Sequence, residues 1–136
     1  MAKKIDLGEI MNIPETLLYT ENHEWVRIDG EFAFVGITDY AQHEMGNIVF
    51  VELPEVGEKI TAGDPLGTLE AVKTVEDIFL PVTGEIVKVN TDLAEAPEHI
   101  NNSPYEEGWL VKVRITNKED VEKLLRADEY IKLIDK

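Results

Sequence analysis

The fold of this 136-residue chain is decided by one eleven-residue stretch: Leu69-Glu70-Ala71-Val72-Lys73-Thr74-Val75-Glu76-Asp77-Ile78-Phe79. A two-residue turn centred on Val72 and Lys73 brings Thr68 opposite Asp77 in a β-hairpin. Polar side chains lie on both faces near this turn, and large apolar ones occur only further back, so the hairpin tip stands in water. The turn lacks Gly, Asn, Pro and Asp, the residues that usually favour turns. A requirement other than folding therefore selects Lys73 at the tip.

A ten-residue pattern occurs on both sides of this hairpin. Residues 57–66 align with residues 84–93 without a gap, at an offset of 27. Both copies begin with Gly-Glu, at Gly57 and Gly84, and both end in Leu. The repeat is typical of two hairpin-bearing halves related by an approximate twofold axis.

Short β-rich segments separated by turn residues make up most of the remaining chain. Asp29-Gly30 divides residues 25–28 from residues 31–35, and this pair predicts a hairpin with a type I′ turn. Residues 48–51 form a further run of β-branched and aromatic side chains that ends before Pro54. Regular short strands with turn signals indicate an all-β barrel or sandwich.

Helices are predicted only at the periphery. Asp39 is expected to cap a short helix, with Gln42 reciprocating, and Gly46 is expected to end it. Asn117 is expected to cap a second helix whose apolar residues are spaced i, i+3, i+4. Residues 128–134 form a last amphipathic segment, which predicts a C-terminal helix.

The composition excludes several classes of function. The chain has 13 Lys and Arg against 28 Asp and Glu, a net charge of −15. Such a charge repels phosphate backbones and anionic lipid, so neither nucleic acid nor a membrane is expected as a partner. Because the chain has no cysteine, its side chains can form no disulfide and supply no thiolate for metal binding or catalysis.

The length fits a single domain. Residues 1–15 show no sustained periodicity and are expected to form a loosely held N-terminal extension, with one domain over residues 16–136. The sequence has no apolar run of 18 residues and no apolar segment of a signal peptide near its start. We expect a cytoplasmic protein, or a mitochondrial one if a transit peptide has been removed.

Lys73 stands out from the other lysines by its position. A lysine on a hairpin is ordinarily a solvated surface residue. At the exposed tip of a hairpin that joins two similar halves, however, it offers an accessible amine on a rigid support. That arrangement suits an enzyme that attaches a long prosthetic group.

Four segments carry a resemblance to a known family. Around the lysine the chain reads Glu70-Ala71-Val72-Lys73, with Gly57 sixteen residues before Lys73 and Gly84 eleven after it. The other three segments span residues 19–26, 36–54 and 100–110. Over about residues 17–134 the chain resembles the lipoyl-bearing H proteins of the glycine cleavage system and, more broadly, lipoyl and biotinyl domains. Ala71 stands where the family commonly has Ser, and Asn22 where many members have Ser.

The resemblance implies a fold and a cofactor. The fold is mainly β, a barrel-sandwich hybrid of two quasi-symmetric antiparallel sheets with short flanking helices and a C-terminal helix. Lipoic acid is attached to Lys73 through an amide. Glu70, Val72, Gly57 and Gly84 present the hairpin and are recognised by the lipoyl-attaching enzyme.

The resemblance also implies a shuttle that has no catalytic residue and no metal of its own. The lipoyl arm takes an aminomethyl group from a pyridoxal-phosphate glycine decarboxylase (P protein) to an aminomethyltransferase (T protein). The reduced dithiol then passes to a dihydrolipoyl dehydrogenase (L protein). The loaded arm folds back onto the protein, where Asn22, Glu24 and Asp77 match the positions that contact it. We expect a monomer, since the tip must be free to enter other active sites.

Other readings remain open at the level of sequence. Glu24 and Asp77 are alternatively solvated acids on strands. His23, His43 and His99 each have an adjacent acid, but their spacing matches no common metal motif, so an enzyme is disfavoured and a structural or interface role is expected for His23. A biotin domain would be expected to have Met on both sides of the lysine, where this chain has Val72 and Thr74.

Overall fold

Two antiparallel sheets make up the body of the protein. The computed structural model describes residues 11–135. In chain order its strands are β1 (Leu18–Tyr19), β2 (Glu24–Asp29), β3 (Phe32–Ile37), β4 (Ile48–Glu52), β5 (Lys59–Ile60), β6 (Pro65–Ala71), β7 (Val75–Phe79), β8 (Gly84–Val89) and β9 (Val111–Ile115). The large sheet has the order β1-β2-β3-β9-β8-β5, and the small sheet has the order β4-β6-β7. The mainly β class and the two antiparallel sheets are thus confirmed.

The two sheets share one hydrophobic core. Val35, Ile86 and Val113 of the large sheet pack in the same buried cluster as Leu69 and Ile78 of the small sheet. In β6, β8 and β9 these residues alternate with exposed or half-exposed ones, as the period-two geometry of a strand requires, whereas the end of β3 is buried on both faces. Burial of this apolar surface from both sheets is the main force that holds the hairpin in place.

The β6–β7 hairpin has the predicted register. Thr68 pairs with Asp77, Leu69 with Glu76, and the Ala71 N–H donates a 2.8 Å hydrogen bond to the Thr74 carbonyl. Val72 and Lys73 therefore form the two-residue turn, as the sequence predicts.

The internal repeat is visible where its two copies meet. β5 pairs antiparallel with β8, placing Lys59 opposite Glu85 and Ile60 opposite Gly84. The two copies thus lie antiparallel to each other and are related by a local approximate twofold axis. The sheets as wholes are unequal, with six and three strands, because β1, β2 and β3 come from outside the repeat and add to one sheet only.

The turn between β2 and β3 differs from the prediction. Asp29 pairs with Phe32, so the turn residues are Gly30 and Glu31 and not Asp29 and Gly30. Gly30 has a φ of 61°, and Glu31 is not among the non-glycine residues with positive φ. Positive φ at the first turn position alone is the pattern of a type II′ turn, so the predicted type I′ is wrong. The hairpin itself is confirmed.

Within residues 11–135, four short α-helices flank the sheets: α1 (Asp39–Met45), α2 (His99–Asn102), α3 (Glu119–Glu122) and α4 (Ala127–Ile134), with a 3₁₀ helix at Thr91–Ala94. Thr38, not Asp39, caps α1, because its side chain accepts a hydrogen bond from the Ala41 N–H. Asp39 instead accepts a side-chain hydrogen bond from Gln42. Asn117 accepts from the Glu119 N–H near the start of α3, and α4 is the predicted C-terminal helix.

The segment before β1 is partly packed. Residues 1–10 of the predicted extension lie outside the described residues, whereas Ile13 is buried beside Tyr19 and Tyr130. The Asn12 N–H also donates to the Asp39 carboxylate, so residues 11–15 are attached to the domain. Among residues 11–135, every helix is too short or too polar to cross a membrane.

Substitution of Gly84 tests whether this repeated glycine is needed for the close approach of β8 to β9. A Cβ at position 84 would lie far inside contact distance of the Arg114 carbonyl oxygen, which is main chain and cannot move without breaking the β8–β9 pairing. Gly84→Ala is expected to lower the free energy of unfolding by about 2 kcal/mol in urea denaturation. Lys88→Ala, on the exposed side of the same strand, is the control and should cost less than about 1 kcal/mol. Equal losses would contradict the close-approach explanation.

Candidate site at the Lys73 hairpin

Lys73 lies at the exposed tip of a hairpin whose backbone is fixed on both sides. The Ala71–Thr74 hydrogen bond closes the turn, and the Val72 N–H donates to the Asn47 carbonyl at 3.2 Å. Glu70, Val72 and Lys73 are all exposed, with 72% of the Val72 surface accessible. The tip therefore presents a primary amine to solvent from an anchored turn.

The two glycines predicted to present the hairpin have structural reasons of their own. Gly57 has a φ of 99°, a conformation that side-chain-bearing residues rarely adopt, and its N–H donates to the Ile86 carbonyl at 2.7 Å. Gly84 allows β8 to lie close to β9. Both glycines therefore lie where the two repeat copies pair, and a role in presenting the hairpin stays a prediction.

Charge is segregated between the sheets. The strands of the small sheet contain four acidic residues and no cationic one: Glu52, Glu70, Glu76 and Asp77. The strands of the large sheet contain five cationic residues against three acidic ones. Three of these cations sit over aromatic rings: Arg27 over Phe34 and Lys112 over Phe32, each at 4.6 Å from the ring centroid, and Lys88 over Trp109 at 5.8 Å. Lys73 therefore stands in the acidic part of the molecule.

A cleft of about 240 Å³ runs beside the hairpin between β7 and α1. Its apolar lining comes from Ile37, Met45 and Ile78. The rest of its lining consists of side chains that are charged or can form hydrogen bonds: Asn22, His23, Tyr40, Glu44, Glu76 and Asp77. The cleft combines an apolar wall with carboxylates, a combination that suits a slender apolar chain with a cationic end.

A second cleft, of about 360 Å³, lies on the other side of the loop that contains Asn22. Glu24 lines this second cleft, Asp77 lines the first, and Asn22 lines both. The structure thus brings Asn22 together with each predicted arm residue but does not place Glu24 and Asp77 in one cleft.

Glu24 is buried, with only 1% of its surface exposed. Its carboxylate accepts hydrogen bonds from the Thr20 hydroxyl at 2.6 Å and from the Phe79 N–H at 3.4 Å. Burial raises the pKa of Glu24 above its ordinary value, and these two hydrogen bonds oppose that rise in part. The alternative that Glu24 is a solvated acid is wrong. Asp77 is exposed, as expected for a solvated acid, and lies 3.4 Å from the Thr68 hydroxyl.

His23 is held by a chain of hydrogen bonds. Its Nδ1 lies 2.8 Å from the Tyr130 hydroxyl, which lies 2.7 Å from Thr38 Oγ1 at the cap of α1. Burial lowers the pKa of His23, and the nearby Glu44 carboxylate opposes this. His23 also has a φ of 70°, a strained conformation for a residue with a side chain. These contacts tie the Asn22 loop to α1 and α4, which agrees with the structural role predicted for His23.

Tyr40 and Glu44 line the first cleft and were not predicted to do so. They lie on α1, and only tertiary packing brings this helix against β7. The one sequence signal was the helix itself, whose cap at Thr38 fixes the face on which Tyr40 and Glu44 lie. His99, by contrast, pairs with Glu107 at 3.3 Å. Among residues 11–135, no group of three or more His, Asp or Glu side chains is arranged to hold a metal ion.

The fold and the site define a small β domain that displays one lysine at the tip of an anchored, acidic hairpin. The sequence profile of the glycine cleavage H-protein family matches residues 17–136, and the chain belongs to that family.

Individual relatives agree with this assignment. The chain is 53% identical over 123 residues to the glycine cleavage system H protein of Rubrobacter xylanophilus, covering 90% of this chain and 95% of the relative. It is 49% identical over 125 residues to that of Halothermothrix orenii, covering 92% and 98%. The crystal structure of a glycine cleavage system H protein from Mycobacterium marinum superposes with a TM-score of 0.80 at 44% identity, covering 87% of this chain and 95% of that one.

Burial of Glu24 predicts a specific pH dependence of stability. Because the folded state raises the Glu24 pKa above that of the unfolded chain, the folded state binds this proton more tightly. Wild type therefore loses stability, relative to Glu24→Gln, as pH rises from the unfolded pKa to the folded one. Urea unfolding between about pH 4 and pH 7 should show a stability difference that moves in favour of Gln as pH increases. A stability difference between wild type and Glu24→Gln that does not change over this pH range would contradict the raised pKa of Glu24.

Proposed function

We propose that this protein is a lipoyl carrier of the glycine cleavage system, with lipoic acid bound through an amide to Lys73. The observation that carries the proposal is the exposed Lys73 amine at the tip of an anchored hairpin. Membership of the H-protein family supports the same role. The chain acts as a cosubstrate that other enzymes use, without a catalytic group of its own.

The residues around the tip fit this prosthetic group. Amide formation needs an accessible amine, and Lys73 is exposed. The apolar wall of the cleft between β7 and α1 fits a hydrocarbon chain, and on β7 the cleft is lined by Glu76, Asp77 and Ile78. When bound, the group supplies a dithiolane whose sulfurs carry a one-carbon unit or two electrons. Since the chain has no cysteine, no protein thiol of its own competes in disulfide exchange.

The cargo of the arm is an aminomethyl group with a protonated amine. We propose that Asn22 and Asp77 contact it in the first cleft and that the Glu24 carboxylate acts from the opposite side of the Asn22 loop. Charge-assisted hydrogen bonds to carboxylates stabilise a cationic amine, more so where water is partly excluded. Tyr40 and Glu44 complete the polar lining of the cleft.

The charge segregation supports the proposed partners. The P, T and L proteins and the lipoyl-attaching enzyme must each approach the acidic small sheet. Long-range attraction between this sheet and basic enzyme surfaces would raise association rates without holding the complex together. Steering of this kind suits a carrier that must dissociate quickly from each enzyme. We also propose that the free protein is a monomer.

The central test is modification of Lys73. Incubation of the bare protein with a lipoate-protein ligase, ATP and lipoic acid should add one lipoyl group, detected by intact mass and located at Lys73 by peptide mapping. Lys73→Arg keeps the charge and should take up none. Lys59→Arg, on β5, is the matched control and should be modified at Lys73 like wild type. Modification at another lysine, or none in wild type, would overturn the proposal.

Retention of the cargo tests the acidic contacts. Glu24→Gln combined with Asp77→Asn should shorten the lifetime of the aminomethyl-loaded protein several-fold, since the amine loses its carboxylate partners. The measurement is ammonia and formaldehyde release from isolated loaded protein. Glu31→Gln combined with Asp29→Asn makes the same chemical changes at the β2–β3 turn and should leave the lifetime unchanged. An unchanged lifetime for the first pair would rule out these contacts.

A further inference from the structure

Two adjacent large apolar residues are exposed on β4, next to the Lys73 hairpin. Val49 is 50% exposed and Phe50 is 55% exposed. Two neighbours in a regular strand point to opposite faces, so one of them would normally be buried against the core. Here the register against β6 shifts between Ile48 and Phe50, so that Val49 and Phe50 together oppose Glu70 alone. This irregularity is a β-bulge, and it turns both side chains toward solvent.

Phe50 belongs to a cross-strand row that leads to the tip. Phe50 pairs with Glu70, and Glu70 pairs with Val75, which is 60% exposed. Val72, in the turn itself, is exposed as well. We name these four apolar residues the tip strip: Val49, Phe50, Val72 and Val75. Acidic side chains border the strip, with Glu52 and Asp77 in the next row of the same sheet.

Folding does not account for the tip strip. The core cluster takes its residues from the opposite face of the small sheet, including Leu69 and Ile78, and from Ile48 before the bulge. β4 is also an edge strand, and an exposed apolar edge invites aggregation. Contiguous exposed apolar side chains with a polar rim are typical of a protein interaction site.

We propose that the tip strip is the docking surface for the enzyme that acylates Lys73, and that its counterpart on that enzyme is apolar at the centre and basic at the rim. This inference rests on the proposed function. The acylating enzyme is the occupant because its reaction takes place on Lys73 Nζ itself. In acylation, the Lys73 Nζ attacks the carbonyl carbon of an activated lipoyl ester or anhydride, the leaving group departs and Nζ loses a proton. Because Nζ itself must reach the active centre, the side chains that flank Lys73 contact the entrance to the enzyme's active site.

The other partners face a different constraint. Enzymes that act on the sulfurs work at the far end of the arm. The hairpin tip can therefore stay further from their active centres than from that of the acylating enzyme. The charges at the strip agree with basic residues on the occupant, because Glu70 lies between Phe50 and Val75, and Glu52 and Asp77 lie in the next row of the same face. Phe50 is the expected anchor, since aromatic residues contribute most to interfaces of this kind.

The test compares loading rate with use of the loaded protein. Phe50→Thr combined with Val75→Thr places a residue that favours strands at both positions while removing apolar surface. With bare protein, a lipoate-protein ligase, ATP and lipoic acid, kcat/KM measured by intact mass should fall about tenfold, chiefly through KM. Val56→Thr, also exposed but beyond the other end of β4, is the matched control and should stay within twofold of wild type. Matched thermal unfolding midpoints show that the variants fold.

A second measurement separates the occupants. Both variants are loaded to completion by long incubation, and glycine cleavage is then assayed with the P, T and L proteins. The proposal expects rates within twofold of wild type for the loaded strip variant. Unchanged loading kinetics would overturn it, as would an equal loss in glycine cleavage, which would assign the strip to those enzymes. If wild type takes up no lipoyl group at Lys73, the proposed function itself fails, and this outcome is distinct from an unaltered strip variant.

Discussion

The register of β6 against β7 fixes the direction of every side chain at the Lys73 tip. With Thr68 opposite Asp77, Leu69 and Ala71 face the core and Glu70 faces solvent. A slip of one residue would reverse these faces and bury Glu70 in place of Leu69. The register is strongly specified because Leu69 and Ile78 join a core that also includes the large sheet. The position of the tip is therefore set by packing well away from Lys73.

That dependence explains the division between what the sequence predicts and what it does not. Alternation of apolar and polar residues is local, so the hairpin register and its two turn residues follow directly from residues 68–77. The repeat likewise predicts the meeting of Gly57 and Gly84, although not the unequal sizes of the sheets. The β2–β3 hairpin shows the limit of local signals. Asp29-Gly30 is a strong turn pair, yet the β2–β3 pairing places Gly30 first in the turn and leaves Asp29 in the strand.

The two clefts could not be predicted from the sequence, for a different reason. Each is bounded by segments distant in the chain, such as Asn22, the α1 residues Tyr40 and Glu44, and Asp77 on β7. No period or turn signal encodes the angle at which α1 packs against β7. Burial of Glu24 could not be predicted either, because an acidic residue in a strand is ordinarily solvated. Only the structure shows the Thr20 hydroxyl and the Phe79 N–H that donate to its carboxylate. The β4 bulge, too, breaks the alternation on which a strand prediction rests.

The net charge of −15 acquires a more specific meaning from its distribution. All five strand cations lie in the large sheet, three of them over aromatic rings, whereas every charged residue in the strands of the small sheet is acidic and Lys73 lies in the turn between two of them. The proposed acylation of Lys73 would remove that positive charge, so the reaction that attached the arm would also leave only acidic residues around the tip. An arm that then carried a cationic amine, as proposed, would lie close to carboxylates on the small sheet. The absence of cysteine fits the same design, since the only reactive sulfurs near the tip would be those of the arm itself.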